Sequence, residues 1–80
     1  MKEITVCLNS IDKVKDFVNK TTFCPCDLDL ISSNCRYIID AKSIMGVFSL
    51  DLSKNLTLKI HSENADEIAS IEEKLKDFIV

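Results

Sequence analysis

The sequence predicts an α+β fold, a two-layer open-faced sandwich in which helices cover one face of a four-stranded antiparallel sheet. The chain has 80 residues, the size of one small domain. Four segments alternate apolar and polar residues as strands do, and three carry apolar residues at helical spacing. Because every predicted strand has one polar face, we expect an antiparallel sheet whose second face is open to water. The predicted order is strand, helix, strand, strand, helix, strand, helix.

The first strand and the first helix are predicted in the N-terminal quarter of the chain. Residues 3–8 alternate between polar and apolar side chains. Asn9 and Ser10 then offer N-cap oxygens, and Asp12 places a carboxylate near the positive end of the helix dipole. Pro25 predicts that this helix ends at residues 21–22, because the residue before a proline avoids helical angles. The predicted apolar face consists of Ile11, Val14, Phe17 and Val18.

A hairpin is predicted next, followed by a short helix. Leu28 and Leu30 alternate with aspartates, and residues 36–40 alternate around Tyr37 and Ile39 after a polar stretch. Ser43 can then cap a helix. The apolar members of that helix include Ile44, Val47, Phe48 and Leu50.

The fourth strand and a strongly amphipathic helix complete the pattern. Residues 56–61 alternate, with Leu56, Leu58 and Ile60 on the apolar side. The acidic residues of the last helix lie mostly early and its lysines late, as the helix dipole favours. Its apolar face comprises Ile68, Ile71, Leu75, Phe78 and Ile79.

Composition disfavours several classes of partner. The net charge is −3, and Arg36 is the only arginine, so the chain lacks the basic stripe of a nucleic-acid-binding protein. No apolar run is long enough to span a membrane. The first residues lack the pattern of a signal peptide, so we expect a cytoplasmic protein with reduced cysteines.

The element order, together with Ala-Lys-Ser-Ile-Met-Gly at residues 41–46, resembles HPr, the small phosphocarrier of the bacterial sugar phosphotransferase system. The resemblance covers essentially the whole chain, as one HPr-like domain over residues 1–80. It implies strand order 1-4-2-3 with three helices on one face. The six-residue segment is similar to the one around the regulatory serine of HPr proteins from low-GC Gram-positive bacteria (Firmicutes). The resemblance therefore implies that HPr kinase/phosphorylase phosphorylates Ser43.

The start of the first helix departs from the family pattern. HPr proteins that relay phosphate carry Gly-Leu-His-Ala-Arg-Pro-Ala there, whereas residues 8–14 read Leu-Asn-Ser-Ile-Asp-Lys-Val. Ser10 takes the position of the histidine, so it is a degenerate phosphohistidine position. A phosphoserine ester does not transfer phosphate readily, and Asp12 repels an anion. We therefore expect no histidine phosphorelay and no catalytic residue. The chain resembles the histidine-lacking paralogues that act in carbon catabolite regulation.

Ser43 and its neighbours have two interpretations. A phosphate on Ser43 would lie at a helix N-terminus, which favours anions, but the serine can equally be only an N-cap. Ile44, Met45, Val47 and Phe48 cannot all be buried at helical spacing. The resemblance implies that exposed residues here dock HPr kinase/phosphorylase, enzyme I or the catabolite repressor, so we predict Ile44, Met45 and Phe48 as a partner-binding surface. Scattered surface hydrophobes are the alternative.

The remaining chemically active residues are one histidine and four cysteines. His61 is predicted on the open face of the sheet beside Lys59, with Glu3 as its cross-strand neighbour, and not as a phosphate carrier. Only one residue separates Cys24 from Cys26, closer than the paired ligands of zinc sites, so we expect free thiols, no metal and no cofactor. Thiol exchange at these two cysteines, and a degenerate paralogue with only a scaffold role, are the alternative functions.

Overall fold

A computed structural model describes residues 1–80 as seven elements in the order βαββαβα. They are β1 (Lys2–Val6), α1 (Ile11–Thr22), β2 (Asp27–Ile31), β3 (Ile38–Asp40), α2 (Ile44–Phe48), β4 (Leu56–His61) and α3 (Ala65–Lys74). The four strands form one antiparallel sheet in the order β1-β4-β2-β3. The predicted fold class, element order and strand order are therefore confirmed.

The core lies between the sheet and the helices. In the central strand β4, buried and half-buried residues alternate along the whole length, because successive side chains of a strand point to opposite faces. The rings of Phe17 and Phe78 meet edge to face at 5.5 Å between centroids, an arrangement that aromatic pairs favour. The fully buried side chains include Val6, Leu8, Val14, Phe17, Leu28, Leu30, Val47, Leu56, Leu58, Ile60 and Leu75.

Helix α1 ends at Thr22, within the predicted range, but differs from the prediction at its start. Near its end Thr21 is buried, and its hydroxyl donates to the carbonyls of Val18, at 3.0 Å, and Ala41, at 3.3 Å. These bonds satisfy a polar side chain that would otherwise disfavour a buried helical position. At the other end Ile11 is 62% exposed, so the prediction that it faces the core is wrong.

The hairpin between β2 and β3 is confirmed, but β3 is shorter than predicted. Ile31 lies opposite Ile38, and β3 begins there rather than at residue 36. The preceding residues form a turn in which the Asn34 side chain accepts bonds from the Ser32 hydroxyl and the Arg36 amide. Cys35 has a φ of 60°, a left-handed conformation that ends regular strand geometry.

The helices are short compared with a bilayer. None of them has the length and apolar content needed to cross a membrane.

Candidate functional site

Ser43 caps the N-terminus of α2. Its backbone is extended, with φ −97° and ψ 104°, and its side-chain oxygen accepts a bond of 3.3 Å from the amide of Gly46. The side chain is exposed to solvent. The prediction that Ser43 caps a short helix is therefore confirmed.

Three apolar side chains of α2, the helix that Ser43 caps, are exposed on the surface. Met45 is 77% exposed, and Ile44 and Phe48 are 37% and 38% exposed, whereas Val47 is fully buried. Burial of Val47 anchors the helix and leaves its neighbours in solvent, since residues of one short helix cannot all face the core. We call Ser43, Ile44, Met45 and Phe48 the Ser43 patch.

Gly46 lets α2 lie close to the sheet. A Cβ atom at this position would come within 3.3 Å of the Ile39 side chain and 3.2 Å of the Ser43 hydroxyl. The atoms that approach this position belong to side chains. A larger residue would press on both the sheet and the cap.

Two long-range contacts fix the segment that leads into α2, and no sequence pattern signals either of them. Thr21 donates to the Ala41 carbonyl, as described above, and the Lys42 ammonium donates to the Cys24 carbonyl at 3.0 Å. Both contacts join residues 18 to 20 positions apart. They tie the start of the Ser43 patch to the C-terminal end of α1.

The N-terminus of α1 carries a second exposed serine cap. Ser10 is extended, with φ −148° and ψ 158°, and accepts a bond of 3.2 Å from the Lys13 amide. Asp12 lies in the first turn, where its negative charge offsets the positive end of the helix dipole. This terminus therefore already carries its own anion and offers no histidine or arginine to a phosphate.

His61 lies on the open face of the sheet, as predicted, but its neighbour was predicted wrongly. In β1, Glu3 pairs with Lys59, while His61 pairs with Asp27 on the other side of β4. The His61 Nε2 atom lies 2.7 Å from the Oδ2 atom of Asp29, and both side chains are about one-third exposed. The error arose because β4 pairs with a strand on each side. His61 lies one residue beyond the pairing of β4 with β1 and is paired only with β2.

Cys24 and Cys26 lie in an environment that disfavours the thiolate. Burial raises the pKa of Cys24, although the charges of Lys74 and Lys42 oppose that effect. The pKa of Cys26 is also raised, first by burial and then by the hydrogen bond and charge of Glu67. All four cysteines are free, and no group of three or more His, Cys, Asp or Glu side chains is arranged to hold a metal ion.

The architecture is that of the small phosphocarrier domains. The crystal structure of HPr-C-His from Thermoanaerobacter tengcongensis superimposes with a TM-score of 0.73, covering 96% of this chain and 92% of that chain at 23% identity. A search among curated proteins found no match. The family model described as PTS HPr component phosphorylation site matches residues 13–79.

The chain therefore belongs to the HPr family, whose members are phosphocarriers, not catalysts, and interact with other proteins of the phosphotransferase system. The matched residues include the whole Ser43 patch and begin after Ser10. The resemblance predicted from residues 41–46 is thus confirmed at the level of the family.

Proposed function

We propose that this HPr-family protein acts as a regulatory protein-binding module that is phosphorylated on Ser43 and does not relay phosphate through a histidine. Its partners are HPr kinase/phosphorylase and, through the same surface, a catabolite repressor or enzyme I. The observation that carries the proposal is an exposed serine hydroxyl at the N-cap of a helix that carries three exposed apolar side chains.

Phosphorylation of Ser43 is chemically compatible with the geometry. The hydroxyl makes one bond, to the Gly46 amide, and a phosphate adds about −1.5 to −2 charges with three strong acceptor oxygens. Those oxygens can accept from the first amides of α2, which lack partners within the helix. The modification therefore changes the charge of the Ser43 patch without removing a buried contact.

Loss of the histidine relay is supported by the chemistry of two positions. The N-cap and first turn of α1 offer Ser10 and Asp12 where a relay needs a histidine and cations, and Lys13 is the single cation of that turn. The single histidine of the chain lies in β4, with Nε2 at 2.7 Å from a carboxylate of Asp29. Its imidazole is therefore engaged in the sheet, beside negative charge that repels a phosphate donor.

Thiol exchange is the less favoured function. A nucleophilic cysteine needs a pKa lowered toward neutrality, whereas burial raises the pKa of both Cys24 and Cys26. Neither thiol lies at a helix N-terminus.

Two phosphorylation reactions test the proposal. The purified protein is incubated with HPr kinase/phosphorylase and ATP, and separately with enzyme I and phosphoenolpyruvate, and phosphate incorporation is measured by intact-protein mass. We expect one acid-stable phosphate in the first reaction and none in the second. Ser43→Ala should abolish the labelling. Ser49→Ala is the matched control, because Ser49 is an exposed serine at the other end of α2.

The partner surface is tested by the rate of the kinase reaction. Met45→Glu should slow labelling of Ser43, whereas Val80→Glu, which changes another exposed apolar residue, should not. An acid-labile phosphate from enzyme I that disappears in His61→Gln would contradict the loss of the relay. Failure of both reactions would favour the scaffold-only paralogue over the proposal.

A further inference from the structure

The outer edge of β3 leaves backbone hydrogen-bonding groups unpaired. Ser32 donates to the carbonyl of Tyr37 and Ala41 donates to the carbonyl of Leu28, so the backbone groups of residues 37, 39 and 41 face β2. By the alternation of an antiparallel ladder, those of Ile38 and Asp40 face outward, and the same alternation continued one residue before Tyr37 places the Arg36 carbonyl on that side. The carbonyl of Asp40 accepts from Ser43, which leaves the amides of Ile38 and Asp40 and the carbonyls of Arg36 and Ile38 available.

At the opposite edge of the sheet, residues 5–7 are covered by the chain itself. Residues after α3 run beside β1, where Val6 and Ile79 form a bridge. Cys7 donates to the carbonyl of Phe78, and Val80 donates to the carbonyl of Thr5. The β3 edge has no such cover along its length, and open edges are sites of strand addition.

The side chains along this edge are complementary to those of a second β3 strand that runs in the opposite direction. If β3 pairs antiparallel with a second β3 centred on Ile38, Ile38 meets its copy and Arg36 meets Asp40. These three residues lie on the same face of the strand, because successive side chains point to opposite faces and the three are spaced two positions apart. Opposite charges directly across an antiparallel pair are stabilising. The Arg36–Asp40 contact at each end of the paired strands is therefore favourable.

The charged side chains at this edge, Arg36 and Asp40, form no ion pair within the chain, although Asp40 Oδ1 accepts a bond of 2.9 Å from the Lys42 amide. Asp40 lies across the ladder from Asp29, a like-charge pair that is unfavourable. Ile38 is 64% exposed although β-strands seldom leave an isoleucine in water. An arginine from a second copy would neutralise Asp40 and cover Ile38.

We propose that two copies of this chain associate through their β3 edges to form one continuous eight-stranded antiparallel sheet. The two-fold axis passes between the paired Ile38 residues. The amide of each Ile38 donates a hydrogen bond to the carbonyl of the other Ile38. Each Asp40 amide donates to the Arg36 carbonyl of the other copy. Arg36 and Asp40 side chains pair at both ends, as the symmetry of an isologous interface requires.

Reciprocal charge reversal tests the register. Arg36→Asp places two aspartates in each contact and Asp40→Arg places two arginines there, so each variant alone should dimerise at least about tenfold more weakly. In a mixture of the two variants, every contact joins an aspartate of one variant to an arginine of the other, so mixing should recover the dimer. Sedimentation equilibrium from about 10 μM to about 1 mM covers the range of a small interface. Lys13→Asp, which changes the net charge on the surface of α1 by the same amount as Arg36→Asp, should behave as the unchanged protein.

Amide NMR signals and a second variant separate this pairing from other contacts. The amides of Ile38 and Asp40 should shift with concentration more than those of Tyr37 and Ile39. Ile38→Pro removes an outward-facing donor without touching the bonds to β2, and should abolish the dimer even if Asp40→Arg fails to fold. A monomer throughout the concentration range, or a dimer that Arg36→Asp and Ile38→Pro leave intact, would overturn the proposal. Both outcomes are independent of Ser43 phosphorylation.

Discussion

The buried hydroxyl of Thr21 should contribute measurably to stability, because it joins the end of α1 to the segment before the Ser43 patch. In Thr21→Val the side chain keeps its shape but cannot donate. The carbonyl of Val18 keeps a bond from Thr22 at 2.8 Å. Ala41 is fully buried, so its carbonyl loses the donor that it receives at 3.3 Å.

The cost of this change follows from the lost donor. An unsatisfied buried acceptor costs about 1–3 kcal/mol, and the length of the bond to Ala41 favours the lower half of that range. For a domain of this size about 1 kcal/mol lowers Tm by roughly 4–8 °C. We therefore expect Thr21→Val to melt about 5–15 °C lower by circular dichroism. Hydrogen exchange at the Gly46 amide should also become faster, because α2 is less firmly held.

Thr21→Ser is the control for this prediction. It keeps the donor and loses one methyl group, which costs about 1 kcal/mol. A valine variant as stable as the unchanged protein would refute the argument that the hydroxyl stabilises this junction. A serine variant less stable than the valine variant would show that packing of the methyl group matters more than the hydrogen bond.

Three further predictions concern a helix cap, the Ser43 patch and the thiols. Asn64 accepts bonds from two amides of α3, so Asn64→Ala should lose about 1 kcal/mol in denaturant unfolding, and an unchanged midpoint would argue against the cap. Met45→Ser should change stability by less than about 0.5 kcal/mol, since the side chain contacts mostly water; a larger loss would mean that Met45 supports the fold. With a disulfide reagent, exposed Cys35 should react first and buried Cys24 last. Because burial raises the pKa of Cys24, its rate should keep rising with pH above neutrality, and fast labelling at neutral pH would contradict this.

Local patterns were sufficient to predict most of the fold. The alternation of polar and apolar residues identified the buried and open faces of β1, β2 and β4. The buried side chains of these strands lie at the apolar positions, as predicted. What the patterns missed depends on distant residues. Thr21 is buried in α1 because its hydroxyl reaches a carbonyl 20 residues away, and no pattern within the helix reports that partner.

The sites depended still more on contacts between distant parts of the chain. The sequence placed His61 on the open face but could not give its partner, since the register between β4 and its two neighbours is set by packing. Exposure of Ile44 and Met45 could be predicted, because a short helix buries only one side. The closeness of Gly46 to Ile39 could not, because it depends on how α2 lies over the sheet.

Ser10 and Ser43 are both exposed helix caps, and only their surroundings distinguish them. Each serine is exposed and accepts one bond from the amide three residues later, at 3.2 Å and 3.3 Å. What differs is the neighbourhood, since one exposed apolar residue, Ile11, and then Asp12 follow Ser10, whereas two exposed apolar residues follow Ser43. A kinase that recognised any capped serine would label both, and one that docks on apolar surface would select Ser43. Comparing the two serines within one protein therefore separates the contribution of docking from that of the cap.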